Sequence, residues 1–455
     1  MRSLRSLSAL GLVAALLSAT GAAAAPSQVT YTVRPGDTLG AIGARCGVGY
    51  QQIASANGIS NPNVIEVGKQ LTIPGSKGCS NAPAAAAAVA KSAAAVPQGA
   101  AIAAVPAAPA AAGAPAGFGY GVQVHAPGGD QGVVDHIKGM NFNWVKQQVE
   151  WFRYEGSKGA RDFSGLDNLV NQANAAGVNV MFSVVKAPDW ARPGNADRSV
   201  AGPPANPQDM ADFTGAMAEH FRGRVKAYEI WNEQNLHYEW GNEPLSAGRY
   251  SQLLCANYRA IKASDPGAMV ISGALTPTGV NDGSRAIDDV NYLSQMLATG
   301  SGACANGIGA HPSGYNNPAT VRAGWNNPDE PQFKGHRSFF FRSTMEAYRA
   351  VMSRYGQAGK KLWVTEFGWA SVENLGAGPA GGYEYAAQNS EGEQAQYLRD
   401  AFNLARSWGW VGPMFVWNLN FAPVAGNGDE KAAFGLVRGD WSERPAFQAL
   451  RDMPK

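Results

Sequence analysis

Two glutamates, each placed where an apolar segment ends, are the residues of this chain best suited to acid and base chemistry. Glu233 follows the segment 225–231, whose aromatic and β-branched residues predict a short buried strand. Glu366 ends a second segment of the same kind, which starts at Lys361. A carboxylate just past the carboxyl end of a strand lies where an α/β barrel keeps its chemistry. Such a pair suggests hydrolysis of a glycosidic bond, in which one carboxylic acid protonates the leaving oxygen and one carboxylate meets the developing positive charge.

The residues around the two glutamates resemble those of the clan A retaining glycoside hydrolases. Trp-Asn-Glu at 231–233 and Thr-Glu-Phe-Gly at 365–368 match a pattern in which Asn-Glu ends barrel strand four and a glutamate ends strand seven. Within the clan the chain is most similar to family 39 and its bacterial exopolysaccharide-cleaving relatives, from about Phe118 to the C-terminus. The resemblance implies that Glu233 is the general acid/base and Glu366 the nucleophile.

This assignment makes two physical demands. Glu233 must keep a proton near neutral pH, which we expect burial and a neighbouring charge to achieve, while Glu366 stays ionised. The retaining mechanism also predicts a carboxyl separation of about 5 to 5.5 Å.

Further site residues follow from the resemblance and from position. Asn232 matches the clan residue that hydrogen-bonds the sugar 2-position, although it could instead only cap its loop. His311 lies in a His-Pro motif like that of related families at the end of strand six, and Tyr315 follows it. Trp417 corresponds to the Trp that stacks on sugar beside the scissile bond. By position alone, the remaining candidates are Lys146, Gln148, Lys186, Trp190 and His125, with His237, Tyr238 and Trp240 as a possible subsite wall.

Strands and helices alternate over residues 118–455, which predicts a (β/α)8 TIM barrel of the α/β class. The helical patterns include a cap and first-turn proline at 206–207 and a capping box at 390–393. The eight candidate strands are 120–125, 143–149, 178–184, 225–231, 268–273, 307–311, 361–366 and 413–417.

A small module precedes the barrel at residues 29–75. Its pattern predicts a strand from Tyr31, two short helices near 39–46 and 50–57, and a closing strand at 70–74. Tyr-Thr-Val at 31–33, Pro-Gly-Asp-Thr-Leu at 35–39 and Leu-Thr-Ile-Pro at 71–74 resemble a LysM module. The family implies a βααβ fold that binds N-acetylglucosamine-containing glycans such as peptidoglycan or chitin. A folded spacer that has lost its ligand is the alternative.

The N-terminus and the cysteines indicate export. Residues 1–25 carry arginines, an apolar run and then small residues, which is the layout of a secretory signal peptide. The Ala- and Pro-rich stretch 80–117 reads as a semi-extended tether. Four cysteines allow three connectivities. We favour Cys46–Cys79 and Cys255–Cys304 because the tether separates these pairs; free buried thiols are the alternative. The mature protein is therefore expected to be secreted, extracellular or associated with a cell wall.

Composition excludes several classes of partner. A net charge of +2 favours neither nucleic acid nor an anionic membrane surface. The sequence shows no cluster with metal-ligand spacing, no phosphate-binding glycine loop and no Gly-x-Ser-x-Gly motif, and the implied mechanism needs no cofactor. Three readings compete: a secreted retaining glycosidase of polysaccharides, an inactive barrel that binds polysaccharide, and a structural cell-wall protein. The polysaccharide itself stays open.

Overall fold

The computed structural model describes residues 29–33, 39, 42, 46, 48, 50–59, 68–74, 117–326 and 335–455. The predicted signal peptide, Cys79 and the predicted tether other than its last residue lie outside this set. The described residues fall into two compact units that divide near residue 100.

The small unit is the predicted βααβ module. Strands β1 (Val29–Thr32) and β2 (Gln70–Ile73) pair antiparallel, and helix α1 (Tyr50–Ala56) packs beside them. Leu39, Ile42 and Cys46 are also helical and buried in the same core. The side chain of Asn57 joins helix to strand, because its amide donates to the Ile53 and Thr72 carbonyls at 2.7 and 2.8 Å and accepts from the Thr72 amide at 2.7 Å.

The large unit is a closed parallel barrel, which confirms the predicted fold class. Its strands follow one another around the barrel in chain order, and the last closes on the first. Each predicted strand lies within two residues of an observed one. These strands are β3 (Gly119–Val124), β4 (Trp144–Glu150), β5 (Asn179–Val185), β6 (Val225–Ile230), β7 (Met269–Ser272), β8 (Gly307–Ala310), β9 (Lys361–Phe367) and β10 (Val411–Val416).

Helices surround the barrel and use the caps that the sequence indicates. Asn206 accepts a hydrogen bond from the Gln208 amide, and Ser390 with Glu393 forms a complete capping box. None of the described helices combines the length and apolar character that crossing a bilayer requires. The helices of this unit are α2 (Gln131–Gly139), α3 (Ser164–Ala175), α4 (Pro207–His220), α5 (Ala247–Ser264), α6 (Asp289–Ala298), α7 (Phe341–Arg354), α8 (Glu391–Ser407), α9 (Ala422–Ala425), α10 (Glu430–Phe434) and α11 (Pro445–Asp452).

An apolar floor of large rings fills the barrel interior near the start of the strands. Trp144 and Trp363 meet edge to face with their ring centroids 5.4 Å apart, and Phe415 packs against Trp144. Gly119 and Gly307 make room for the two indoles, since a Cβ at either position would lie 2.6 or 2.5 Å from an indole carbon. The floor therefore excludes water from the layer of side chains above it.

The disulfide between Cys255 and Cys304 was predicted, and the structure contains it, linking α5 to the turn before β8. Cys46 is also disulfide-bonded, whereas its expected partner lies outside the described residues.

We expect the double substitution Cys255→Ala/Cys304→Ala to lower the free energy of unfolding by roughly 3 to 4 kcal/mol, because it releases the 49-residue loop in the unfolded chain. Urea denaturation followed by tryptophan fluorescence measures this in the barrel alone, since all 12 tryptophans follow residue 143. The pair Cys46→Ala/Cys79→Ala is the control and should leave that transition unchanged. A barrel transition equal to that of the unsubstituted chain would contradict the prediction.

Candidate active site

A sharp turn after β6 presents Glu233 to the interior of the barrel mouth. Trp231 and Glu233 both have left-handed backbones, with φ of 74° and 47°, which is uncommon for residues other than glycine. The turn is held by its polar neighbours: the Gln234 side-chain amide donates to the Gly273 carbonyl at 2.8 Å, and Asn235 donates to two carbonyls and accepts from one amide of the loops after β7. Gln234 and Asn235 therefore fix the loop, which leaves Glu233 free for chemistry.

A bulge in β9 turns Glu366 toward the same space. The register of β9 against β10 shifts between Val364 and Phe367, so three residues of β9 oppose two of β10. Thr365 and Glu366 consequently both point inward, while Phe367 points outward and packs on Phe402 of α8 with ring centroids 5.1 Å apart. Without the extra residue, strict alternation would turn either Thr365 or Glu366 away from the barrel axis.

The two glutamates meet across a short gap with His311 between them. A carboxylate oxygen of Glu233, one of Glu366 and a ring nitrogen of His311 all lie within 4.8 Å of one another. Nδ1 of His311 is 2.9 Å from Oε1 of Glu233 and 3.8 Å from Oε2 of Glu366. The arrangement can place a sugar carbon against one carboxylate while the other reaches its glycosidic oxygen.

A buried lysine holds Glu366 from below. Lys146 of β4 has no exposed surface, and its Nζ donates to Oε1 of Glu366 at 2.8 Å and lies 3.3 Å from Oε2 of Glu229, which is also fully buried. Burial opposes the charge on Lys146, but the two carboxylates outweigh it and raise the pKa of this lysine. Lys146 therefore acts as a fixed cation beneath Glu366.

The pKa of Glu233 departs from the expectation. Burial disfavours the ionised carboxyl group, yet the hydrogen bond and charge of His311 outweigh burial, so the pKa of Glu233 is lowered. His311 shows the complementary effect: burial opposes its charge, but Glu366 and Glu233 raise its pKa. Burial favours the proton on Glu233 as predicted, but the neighbouring charge acts in the opposite sense, because it is a histidine that competes for that proton.

The cleft above this pair has a volume of about 590 Å³. Gln148, Lys186 and Tyr238, which were candidates by position, belong to its lining. Burial raises the pKa of Tyr315 to about 12, so its hydroxyl keeps its proton. The site residues implied by the resemblance that also line the cleft are Asn232, Glu233, His311, Tyr315, Glu366 and Trp417.

Two other candidates have different surroundings. His125 lines a neighbouring pocket of about 360 Å³ and contacts Phe421. Trp190 packs edge to face on Trp151 and donates its indole N–H to the Glu155 carbonyl at 3.0 Å. Neither side chain lines the cleft.

The suggested subsite wall is reduced to Tyr238. Trp240 is fully buried against Trp231, and a ring nitrogen of His237 lies 3.0 Å from the Arg285 carbonyl, so neither side chain lines the cleft.

Sequence reasoning missed several residues of the site. Glu239 lines the cleft, and burial together with the charge of Glu233 raises its pKa to about 7. Tyr383, Tyr385 and Lys431 also line it, from the segments after β9 and β10. Two of them lie in or beside the glycine-rich stretch 376–389, whose length was a signal of a cleft wall but whose individual side chains carry no motif.

Glu233, His311 and Glu366 also offer the types of donor atom that a metal site uses. These donor atoms already take part in hydrogen bonds, however. Nδ1 of His311 lies against Oε1 of Glu233, and Nζ of Lys146 donates to Oε1 of Glu366. A lysine ammonium beside a ligand atom also repels a cation. The donor set therefore fits proton transfer and nucleophilic attack better than it fits metal binding.

Comparison with protein families assigns the chain. The profile of the cellulase family, glycosyl hydrolase family 5, matches residues 110–411. The chain belongs to this family. A LysM domain profile matches residues 31–74. This glycoside hydrolase is thus in the predicted clan, although the family whose profile it matches is family 5 where family 39 was expected.

Individual relatives cover parts of the glycoside hydrolase. A family 39 enzyme from Bacteroides cellulosilyticus WH2 superposes with a TM-score of 0.57 and 20% identity, over 74% of this chain and 63% of that one, and so shares its fold. The secreted LysM effector ECP6 of Passalora fulva is 46% identical over 12% of this chain and 23% of its own length. The N-acetylmuramoyl-L-alanine amidase sle1 of Staphylococcus saprophyticus is 46% identical over 11% of this chain and 16% of its own length. The chain thus spans less than a quarter of either curated relative.

The buried cation yields a prediction about stability. We expect Lys146→Met to lower the free energy of unfolding by about 3 to 5 kcal/mol, because it leaves Glu229 buried without a counter-charge. In the double variant Lys146→Met/Glu229→Gln the uncompensated charge is gone, and at least about 1 kcal/mol of the loss should return. Urea denaturation by tryptophan fluorescence provides the measurement.

Lys158→Met serves as the control, because Lys158 pairs with Asp209 on the surface and its loss should cost less than about 1 kcal/mol. If the double variant is no more stable than Lys146→Met, then Lys146 does not compensate Glu229.

Proposed function

We propose that this glycoside hydrolase is a secreted, retaining enzyme that cleaves β-glycosidic bonds of a polysaccharide by double displacement. The observation that carries this proposal is the gap between the nearest carboxylate oxygens of Glu233 and Glu366, which is at most 4.8 Å. Retaining glycosidases hold the two carboxyl groups about 5 to 5.5 Å apart, whereas inverting enzymes need roughly 6.5 to 9.5 Å to admit a water between them. The gap supports nucleophilic attack by the enzyme itself.

In the first step Glu366 attacks the anomeric carbon. The bond from that carbon to the glycosidic oxygen breaks, a bond to a Glu366 oxygen forms, and the leaving oxygen takes a proton from Glu233. Lys146 donates to Glu366 at 2.8 Å and so fixes the attacking group in place.

In the second step water takes the place of the leaving sugar. The Glu233 carboxylate accepts a proton from the water, whose oxygen bonds to the anomeric carbon while the ester to Glu366 breaks. Both carboxyl groups return to their starting states, and the sugar regains its original configuration.

Other cleft residues supply substrate contacts. The Oδ1 atom of Asn232 is buried beside Glu233 and accepts no hydrogen bond from the described residues, so it is available to a sugar hydroxyl. Trp417 also lines the cleft, and its half-buried indole suits stacking on a sugar ring. These contacts support recognition of a polysaccharide chain.

Substitution of each glutamate separates their roles. We expect Glu366→Gln to abolish hydrolysis, with a loss of at least about 10⁴-fold, because no nucleophile remains. Glu233→Gln should lose about 10² to 10⁴-fold on oligosaccharides but much less on dinitrophenyl glycosides, whose leaving group needs no proton. The measurement is mass spectrometry of products from a panel of defined β-glycans, followed by kinetics on the substrate so identified.

Products shared by the unsubstituted enzyme and Glu366→Gln would rule out Glu366 as the nucleophile. Binding of a glycan without turnover across the whole panel would instead support an inactive, polysaccharide-binding barrel.

The LysM module is proposed to deliver the enzyme to an N-acetylglucosamine-containing glycan such as peptidoglycan or chitin. The name of the amidase relative refers to a peptidoglycan bond, and the effector relative is described as secreted. A tethered second domain works at an effective concentration on the order of mM, so anchoring raises the rate on a solid substrate without any change in the barrel. We place the enzyme outside the cell or at the cell wall on these grounds.

Removal of residues 29–75 tests the anchor. We expect the shortened chain to lose retention on insoluble chitin and peptidoglycan, and to keep kcat/KM on soluble oligosaccharides within about twofold, because the barrel has its own core. Sedimentation with each polymer measures retention. Undiminished retention of the shortened chain would show that the module is a spacer.

A further inference from the structure

A line of four hydrogen bonds and one ion pair, between Lys146 and Glu229, joins the two catalytic carboxylates through the barrel interior, below the cleft. Its members Lys146, Glu229 and Thr365 come two residues after Trp144, Ala227 and Trp363 of the apolar floor, so they form the next inward layer. From one carboxylate to the other the line runs through Glu366, Lys146, Glu229, Thr365, His311 and Glu233.

The acceptor role of Glu229 determines which group donates in each hydrogen bond between Glu229 and His311. Nζ of Lys146 lies 3.3 Å from Oε2 of Glu229, and the Ala274 amide donates to Oε1 at 3.2 Å, so this carboxyl group is arranged to accept. The Thr365 hydroxyl lies 2.6 Å from the same Oε1 and has one proton, which it must donate there.

The donor role of the Thr365 hydroxyl in turn fixes the role of the His311 ring. Nε2 of His311 is 3.0 Å from Oγ1 of Thr365, whose proton is already used. Oγ1 can therefore only accept, and Nε2 must carry a proton. The neutral tautomer of His311 with its proton on Nδ1 is excluded by this arrangement.

This tautomer constrains Glu233. A neutral His311 would present a bare Nδ1 to Oε1 of Glu233 at 2.9 Å and to Glu366 at 3.8 Å, which is unfavourable unless Oε1 itself carries a proton directed at the ring. A proton on Oε1 does not face the glycosidic oxygen. Only when Nδ1 is also protonated does Oε1 become an acceptor and leave Oε2 of Glu233 to carry the acidic proton.

We propose that Thr365 and Glu229 are positioning residues for the acid step, which fix a proton on Nε2 of His311 so that Glu233 donates to substrate only while His311 is an imidazolium. The inference rests on the proposed retaining mechanism and adds the residues that control its proton. After transfer, Nδ1–H still donates to Oε1, and Oε2 is free to take a proton from water in the second step.

The charged groups that face His311 favour the imidazolium. Burial opposes it and Lys146 repels it, but Glu366 and Glu233 together raise the pKa of His311. When Glu233 carries its proton, the charge of Glu366 still favours the imidazolium. Glu239 lines the cleft in the turn after β6, and burial together with the charge of Glu233 raises the pKa of Glu239 to about 7. The acid-competent state therefore needs a proton on both partners, and we expect it to be lost on the alkaline side as His311 deprotonates.

Nitrogen-15 NMR of the full chain labelled at its 6 histidines tests the tautomer directly. The His311→Gln variant assigns the resonances. We expect both ring nitrogens of His311 to be protonated at neutral pH, and Nε2 to keep its proton when Nδ1 loses its own at higher pH. A neutral form protonated on Nδ1 would overturn the proposal whatever the substituted enzymes do.

Removal of the Thr365 hydroxyl tests its effect on the acid step. We expect Thr365→Val to lower kcat/KM about 10²-fold on phenyl glycosides of the sugar identified by the glycan panel, and less than about threefold on dinitrophenyl glycosides, because only the former need the acid. The alkaline limb of the pH profile should move to lower pH by about one unit, since Nε2–H loses its acceptor and the imidazolium is less stable. Thr365→Ser keeps the hydroxyl and should restore both values to within about twofold.

Thr214→Val is the matched control: Thr214 is equally buried, and its hydroxyl bonds to Asn257 between α4 and α5, away from the cleft. It should change stability without moving the pH profile. Equal losses of Thr365→Val on both leaving groups, or an unmoved alkaline limb, would show that Thr365 is merely structural. Failure of the retaining mechanism is a separate result, because it would appear as turnover by Glu366→Gln.

Discussion

The active site of this enzyme depends on the ion pairs that the ammonium group of Lys146 forms with two carboxylates. Two carboxylates lie within 3.3 Å of it: Glu229 is fully buried, and Glu366 is mostly buried at the bottom of the cleft. Either carboxylate alone would be costly to hold there, and two would repel each other, so the single cation makes the arrangement possible. Because Lys146 is fixed on a barrel strand, the position of Glu366 is set before any substrate arrives.

The apolar floor gives that interaction its strength. The rings of Trp144, Trp363 and Phe415 fill the barrel directly below, and charges above them interact through a medium of lower polarity than water. Water is also excluded from the hydrogen bonds between Glu229 and His311. A donor there that lacks an acceptor cannot bond to solvent instead, so the direction of each hydrogen bond is important. Packing at the base of the barrel thus contributes to the burial of the charged groups above it.

The two units of this glycoside hydrolase belong to families with different activities. The barrel carries the chemistry of a glycoside hydrolase, and the LysM module adds a glycan-binding fold that has its own small core. A soluble enzyme that cuts a solid substrate spends much of its time away from the surface, and a second domain on the same chain reduces that time. In the barrel, the loops that line the cleft carry Glu239 and several tyrosines.

The sequence by itself determined the two modules, the eight barrel strands and the two glutamates at strand ends, because hydrophobic periodicity and short motifs record local structure and strand position. It also identified His311 and Lys146 as barrel-top residues. Only the tertiary structure decided that Lys146 lies beneath Glu366, that a bulge turns Glu366 inward, and that His311 competes with Glu233 for a proton. The same holds for Glu239, for Thr365, and for the exclusion of Trp190 from the cleft. These relations join residues up to 220 positions apart through the closure of the barrel, and no local pattern in a single chain encodes which side chains that closure brings together.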